Sequence, residues 1–314
     1  MTCHNCRTEC QRFGKHRNGL QRFRCLQCSK TFTEPRETPL DGMYTSIDQA
    51  EMILSLLLEG NSVSSVERVT GVHHTTILKL LVLAGEKCER ITADKIPNVP
   101  VRDLELDELW SFCGKKQKRV RPEDDQNLGD CYVFVAIERH TKLVLNIAMG
   151  KRDQATTDVF VEGIRHATAR TPFQITTDGF GPYRSAITTT LHDRLTGFAQ
   201  LIKVYHASQD GEARYSPAEV QSVEVVPVFG QPDPERICTS IVERQNLSVR
   251  MGTRRFTRLT NAFSKKWENH WAAVACWFAF YNFCRVHKSL RTTPAMAAGI
   301  SDHVWSVREL LESA

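Results

Sequence analysis

Asp107, Asp178 and Glu243 are the side chains best placed to do chemistry. Asp107 lies late in an alternating run, LELDELWSFCG, that reads as a strand. Asp178 closes a second strand-like run, FQITTD, just before Gly179. Glu243 sits in SIVERQNLSVR, which has helical spacing. Two carboxylates at strand ends and one on a nearby helix can bind two divalent ions about 3.5–4 Å apart. Such a pair activates an attacking oxygen and stabilises the leaving oxygen at a phosphodiester. Hard oxygen donors suit Mg²⁺ or Mn²⁺. Without cations, three clustered carboxylates would repel one another and resist ionisation. The plainer alternative is that strand-end aspartates serve only as caps or turn residues. Glu105 competes with Asp107, because it lies two residues away on the same strand face; Glu108 is expected to point the other way.

The residues around Glu243 are basic. Ile237, Ile241, Leu247 and Met251 recur at roughly helical spacing and predict the apolar stripe of this helix. Asn246 and Arg250 continue the Glu243 face over the next two turns. Arg254, Arg255 and Arg258, with Lys265 and Lys266, would hold phosphates around the carboxylates. From Arg244 to Arg291 there are ten Lys/Arg and one acid, Glu268, a balance of +9. Residues 1–45 carry eight basic and four acidic groups, a balance of +4. Basic ends around a near-neutral middle suggest a polyanionic partner, nucleic acid first. An ordinary solvated charge face is the competing reading of the helix.

Two Cys-x2-Cys pairs, Cys3/Cys6 and Cys25/Cys28, are separated by 18 residues. That is the spacing of a four-cysteine Zn²⁺ site, and residues 1–38 are expected to form a zinc ribbon folded largely by its metal. His4, Cys10 and His16 are spare and are not expected to be ligands. After a Pro/Gly-containing break, residues 44–93 predict three helices: one from Ser46 to Gly60, a short one from Ser64 or Ser65 to before Gly71, and one from His74 to about Arg90. The tight TGV turn between the last two fits a helix-turn-helix, whose recognition helix would offer His74, Thr75, Thr76 and Lys79 to DNA. A plain three-helix bundle fits the same pattern.

Residues 101–300 then read as strand, strand, strand, helix, strand, helix, which is an α/β domain with a mixed sheet. Residues 207–236 look like an insertion, and the 64 residues between Asp178 and Glu243 lead us to expect that they project from this core. The aromatics from Trp267 to Tyr281 read as core, and the cysteines beyond residue 100 as buried free thiols. The chain is 314 residues with 41% apolar and 25% charged residues, enough for about two domains plus small modules. Its longest apolar run, WAAVACWFAFY, is 11 residues, short of a membrane span. Eleven cysteines without an export signal lead us to expect reduced thiols and a cytoplasmic, nucleoid-associated protein.

The stretches LDELW, TTDGFGPY and SIVERQNLSVRMG…FSK together resemble the three motifs of the insertion sequence 1 family of bacterial DDE transposases. The resemblance extends to the cysteine-rich front, the three helices behind it, and the tail FYNFCRVHKSLRTTPAMAAGI, so it spans most of residues 1–300. It implies a multidomain chain with an N-terminal zinc ribbon, an all-α helix-turn-helix and a ribonuclease-H-like α/β core. It implies that Asp107, Asp178 and Glu243 are the catalytic ligands of Mg²⁺ or Mn²⁺. It implies binding to double-stranded DNA, both inverted-repeat ends and target, followed by strand cleavage and transfer. Acting on two ends suggests a homo-oligomer, at least a dimer. A DNA-binding regulator or an inactive transposase remnant is the alternative.

Overall fold

The computed structural model describes residues 1–3, 5–17, 19–33, 40, 43–205, 220–257 and 260–313. The chain divides into two compact units, Met1–Ile47 and Asp48–Ala314. The first holds three short antiparallel strands, β1 (Gln11–Lys15), β2 (Gln21–Arg24) and β3 (Thr31–Thr33), in that order. Cys3 and Cys6 precede β1, and Cys25 and Cys28 lie in the turn between β2 and β3. Phe23 and Phe32 stack across the β2–β3 pair. Among the described residues so few apolar side chains are buried here that the four thiols are the main candidates to hold the unit together.

The second unit opens with α1 (Ile47–Leu58), α2 (Val63–Thr70) and α3 (His74–Lys95). The Ser62 hydroxyl accepts from the Ser65 N–H and starts α2; Gly71, at φ +69°, ends it in the left-handed conformation that glycine adopts without strain. α3 runs past the expected Arg90 because Ile91 continues its buried stripe of Ile77, Leu80, Leu81, Ala84 and Cys88. That stripe packs on α7 (Trp267–Ala279), and Gly85 faces Ala272 at a helix crossing too close for a side chain. The three helices therefore share their core with the α/β part of the chain. Trp277, Phe278 and Tyr281, in α7 and the π turn that extends it, are buried.

The six-stranded mixed sheet has the order β6-β5-β4-β7-β8-β9. Its strands are β4 (Asp103–Cys113), β5 (Gly129–Glu138), β6 (Val144–Gly150), β7 (Phe173–Thr177), β8 (Leu195–Tyr205) and β9 (Val220–Gly230). β4–β7 and β7–β8 are parallel, and the other pairs are antiparallel. Helices α4 (Gln154–Ala167) and α5 (Pro182–Thr190) follow β6 and β7 and pack Phe160 and Tyr183 against Phe134 of β5. A buried His270 on α7 accepts or donates at both ring nitrogens, to Ser111 of β4 and to Ser264, each at 2.8 Å. Burial, with Arg255 nearby, pulls its pKa down to about 3, so it pins the helix to the sheet as a neutral ring.

Two expectations change. β8, LTGFAQLIKVY, is a full strand that the periodicity did not single out. Residues 220–230 of the expected projecting insertion are the edge strand of the sheet, paired with β8 from Gly197 to Tyr205. β7 pairs with β8 only as far as Gln200, so the far half of the β8–β9 ribbon extends beyond β7. Residues 207–219 lie outside the described residues.

Candidate active site

Asp107 and Asp178 meet because β4 and β7 are adjacent and parallel. Their pairing ends at Leu106 and Thr177, so the next residue of each strand emerges at the same level. Asp178 then turns the chain: its Oδ1 accepts from the Phe180 N–H at 2.9 Å. Gln200 of β8, fully buried, donates to the carbonyls of Asp178 and Phe180 and fixes this turn. Asp107 accepts from the Glu108 N–H at 2.8 Å and from the Asn246 amide at 2.7 Å.

Glu243 comes from α6 (Ser240–Gly252), whose placement is decided by Glu105. That carboxylate is buried, and its Oε2 accepts from the Ile241 and Val242 N–H groups at 2.8 and 3.0 Å. It caps the first turn of α6, where unpaired N–H groups and the helix dipole favour a negative charge. Glu105 is thus a support for the helix rather than a rival ligand. Asp103, also buried, holds Arg236 and His140 and anchors the chain entering α6. The buried face of α6 is Val242, Gln245, Asn246 and Val249; Leu247 and Met251, expected to face the core, are exposed. The expected stripe is wrong because the helix turns its polar face to the carboxylate cleft and needs only Val242 and Val249 as apolar contacts.

Asp107, Asp178, Glu243, Asn246 and Arg250 line one cleft. Glu108 joins them, contrary to expectation. Ligand oxygens of Asp107, Glu108 and Asp178 lie within 4.8 Å of one another. Among the described residues, no strand covers the β7 side of β4 beyond Leu106, so side chains from both faces can reach the open edge. Arg152, just before α4, donates from Nε to Glu108 at 2.9 Å and from Nη2 to Asp178 at 3.4 Å. The Glu243 carboxylate is held by Lys203 of β8 and by the Thr239 hydroxyl. Burial pushes the Asp107 pKa up to about 6, and the charges of Asp178 and Glu243 add to that. Burial, then Asp178, pushes Glu108 to about 7. Glu108 Oε1 and the Tyr183 hydroxyl beside it are both buried without a hydrogen bond among the described residues. The carboxylates of Asp107, Asp178 and Glu243, hard-oxygen donors on one cleft with Asp107 held resistant to ionisation, fit a divalent cation.

The other expected contacts divide. Arg250 reaches the cleft. Arg254 is exposed and, with His74 and Lys265, lines a separate cavity between the helices and the segment after α6. Arg255, expected on phosphate, turns inward: Nη1 donates to Ser264 at 2.7 Å, and burial lowers its pKa to about 10. Arg258 lies outside the described residues. His74, Thr75 and Lys79 are exposed near the start of α3, and Thr76 is half-buried. The His74 ring and backbone N–H contact the Glu67 carboxylate at 3.1 and 2.9 Å. In the first unit, the thiols of Cys3, Cys6, Cys25 and Cys28 converge within 4.8 Å, with Cys3 and Cys28 sulfurs 3.7 Å apart. That matches the roughly 3.8 Å edge of a tetrahedron with metal–sulfur bonds of about 2.3 Å. Cys10 and His16 are not in this group. No signal in the sequence marked Glu108, Arg152, Gln200 or Lys203, since each depends on which strands are neighbours.

Residues 127–218 match the family model described as a DDE domain, of the insertion sequence 240 transposase type. The match includes Asp178 and supports an insertion-sequence DDE transposase, through a model of the insertion sequence 240 type rather than the insertion sequence 1 type. No curated protein matches the sequence. Among solved structures, the chain is similar to the Mos1 transposase paired-end complex with left transposon end, at 12% identity and TM-score 0.20, over 50% of this chain and 60% of that one. The Mos1 strand transfer complex gives 11% identity and TM-score 0.27, over 89% and 79%. Argonaute of Aquifex aeolicus gives 8% and 0.25, over 67% and 33%. The chain thus spans about 60% of the Mos1 chain in the first of these.

Proposed function

We propose that this protein is a DDE-type DNA transposase of an insertion sequence. One observation carries the reading. Asp107 and Asp178 emerge side by side from adjacent parallel strands, and α6 brings Glu243 to the same cleft, within a chain whose middle matches a DDE domain. Asp107, Asp178 and Glu243 would hold Mg²⁺ or Mn²⁺. The bound metal supplies Lewis-acid activation of the attacking oxygen and charge stabilisation at the leaving oxygen.

The chain's own residues do the rest. Asn246 orients the Asp107 carboxylate through its amide. Arg250, farther along the same helix, is placed to take a DNA phosphate and set the strand in the cleft. Hydrolysis at the element's end would free a 3′-hydroxyl, which then attacks a target phosphodiester in line, with no covalent bond to the protein. The cysteine unit, as a Zn²⁺ ribbon at residues 1–38, and the helices of residues 44–93, as a helix-turn-helix reading DNA with His74, Thr75, Thr76 and Lys79, would recognise the inverted repeats. Two ends must be held at once, so the active form is at least a dimer.

The test uses purified protein, a labelled duplex carrying the DNA that flanks its gene, and Mg²⁺, with Glu243→Gln alongside. Nicking at the repeat boundary and joined products, both absent in the variant, are expected. Sequence-specific binding with no cleavage in Mg²⁺ or Mn²⁺ would replace this reading with a DNA-binding regulator.

A further inference from the structure

Arg152 occupies an unusual position for a residue outside the three motifs. Its backbone is fixed on both sides, by the end of β6 at Gly150 and by Asp153, whose side chain caps α4. Its guanidinium lies 4.1 Å from the centre of the Phe180 ring, in the turn that Asp178 makes. From there it spans two carboxylates, Glu108 at 2.9 Å and Asp178 at 3.4 Å. The Glu108 side chain is only 3% exposed, whereas Arg152 is 39% and Asp178 38% exposed. The two ends of the bridge therefore differ. The shorter bond goes to a buried carboxylate, and the longer one to a carboxylate open to the cleft.

We propose that Arg152 is a displaceable counter-charge of the carboxylate cleft, anchored by Glu108, which competes with a divalent cation for Asp178. This rests on reading Asp107 and Asp178 as cation ligands. A carboxylate oxygen that accepts from a guanidinium has one lone pair engaged and a cation beside it that repels the incoming ion. Cation binding then drives Nη2 off Asp178, while Nε stays on Glu108 and the ring of Phe180 keeps the guanidinium in the cleft. Freed from Asp178, the fork is at the mouth of the cleft, where a DNA phosphate could take up its open donors. Arg152 is on this account a positioning residue, and Glu108 its retainer rather than a metal ligand.

The test measures Mn²⁺ binding to the full, zinc-loaded chain without DNA, from the loss of the free-ion electron paramagnetic resonance signal. Wild type is compared with Arg152→Gln, Arg152→Lys, Glu108→Gln and Asp178→Asn, each first checked for an unchanged circular dichroism spectrum. Arg152→Gln should bind Mn²⁺ roughly three- to tenfold more tightly, since a cation beside the ion is removed. Arg152→Lys keeps the charge but cannot span both carboxylates, so it should also bind more tightly, by a smaller factor. Glu108→Gln should retain binding. Unchanged affinity in Arg152→Lys would show that charge alone acts at a distance and would overturn the displacement. A loss in Glu108→Gln as large as in Asp178→Asn would make Glu108 a ligand and overturn its role as retainer. If wild type and Asp178→Asn bind Mn²⁺ alike, the cation site itself is wrong, which is a different failure.

Discussion

At the scale of single residues, the cleft gathers carboxylates whose charge the fold disfavours. Asp107 binds its proton more tightly folded than unfolded, because burial and two neighbouring carboxylates disfavour its charge. Its contribution to stability is therefore complete below its ordinary value of 3.8 and is lost as pH rises through about 6. Asp107→Asn should be more stable than wild type at pH 8 in a chelating buffer, by about 1–3 kcal/mol, and the gain should vanish near pH 4 in urea melts. Mg²⁺ should reverse the order by stabilising wild type alone. The same groups set an acid limit on activity. With Asp107 near 6 and Glu108 near 7, Mg²⁺-dependent nicking should fall as pH drops from 8 through 6, and a flat profile over that range would disconnect these carboxylates from the reaction.

At the scale of elements, two contacts decide where the site's parts sit. The first is Glu105 under the start of α6. Glu105→Ala strands two buried N–H groups and should cost about 2–4 kcal/mol, whereas Glu105→Gln keeps an acceptor and should cost less than half of that. Because Glu243 rides on α6, weakened Mn²⁺ binding in Glu105→Ala with recovery in Glu105→Gln would separate positioning from ligation. The second contact is the crossing of α3 and α7. A Cβ at Gly85 would stand 2.5 Å from the Ala272 Cα, backbone that cannot step aside. Gly85→Ala should lower stability by about 1–3 kcal/mol in a denaturant melt even though alanine favours helix, because overpacking outweighs propensity there. A stabilised variant would mean that the helices are farther apart than described.

At the scale of the whole molecule, the two compact units should respond separately to loss of metal. The described residues of Met1–Ile47 bury too few apolar groups to fold on their own core, and the thiols of Cys3, Cys6, Cys25 and Cys28 converge within 4.8 Å of one another. Cys25→Ser, or stripping with a strong chelator, should raise hydrogen exchange in β1–β3 to unfolded rates while leaving β4–β8 protected. Unchanged protection of β1–β3 would show that zinc is not what folds this unit. Among the described residues, no helix is long and apolar enough to cross a membrane.

How much of this was legible in the chain follows from the range of each interaction. Sequence by itself determined what is local: the paired cysteine knuckles, the three helices and their turn, the strand of Asp107, the strand ending at Asp178, and the helix of Glu243. Each is written in a spacing of a few residues. What the tertiary structure alone decided is which elements are neighbours. Glu105 and Asp107 share a strand face, and only the placement of α6 made one a cap and left the other open to the cleft. Glu108, on the opposite face, reached the same cleft because the pairing with β7 stops at Leu106, two residues earlier. Arg255 turned inward and Leu247 outward because Ser264 and the carboxylate cleft lie where they do. Arg152 and Lys203 became partners of Asp178 and Glu243 across 26 and 40 residues of sequence. No periodicity encodes such pairings, because they follow from strand order and from the burial of charge rather than from any spacing along the chain.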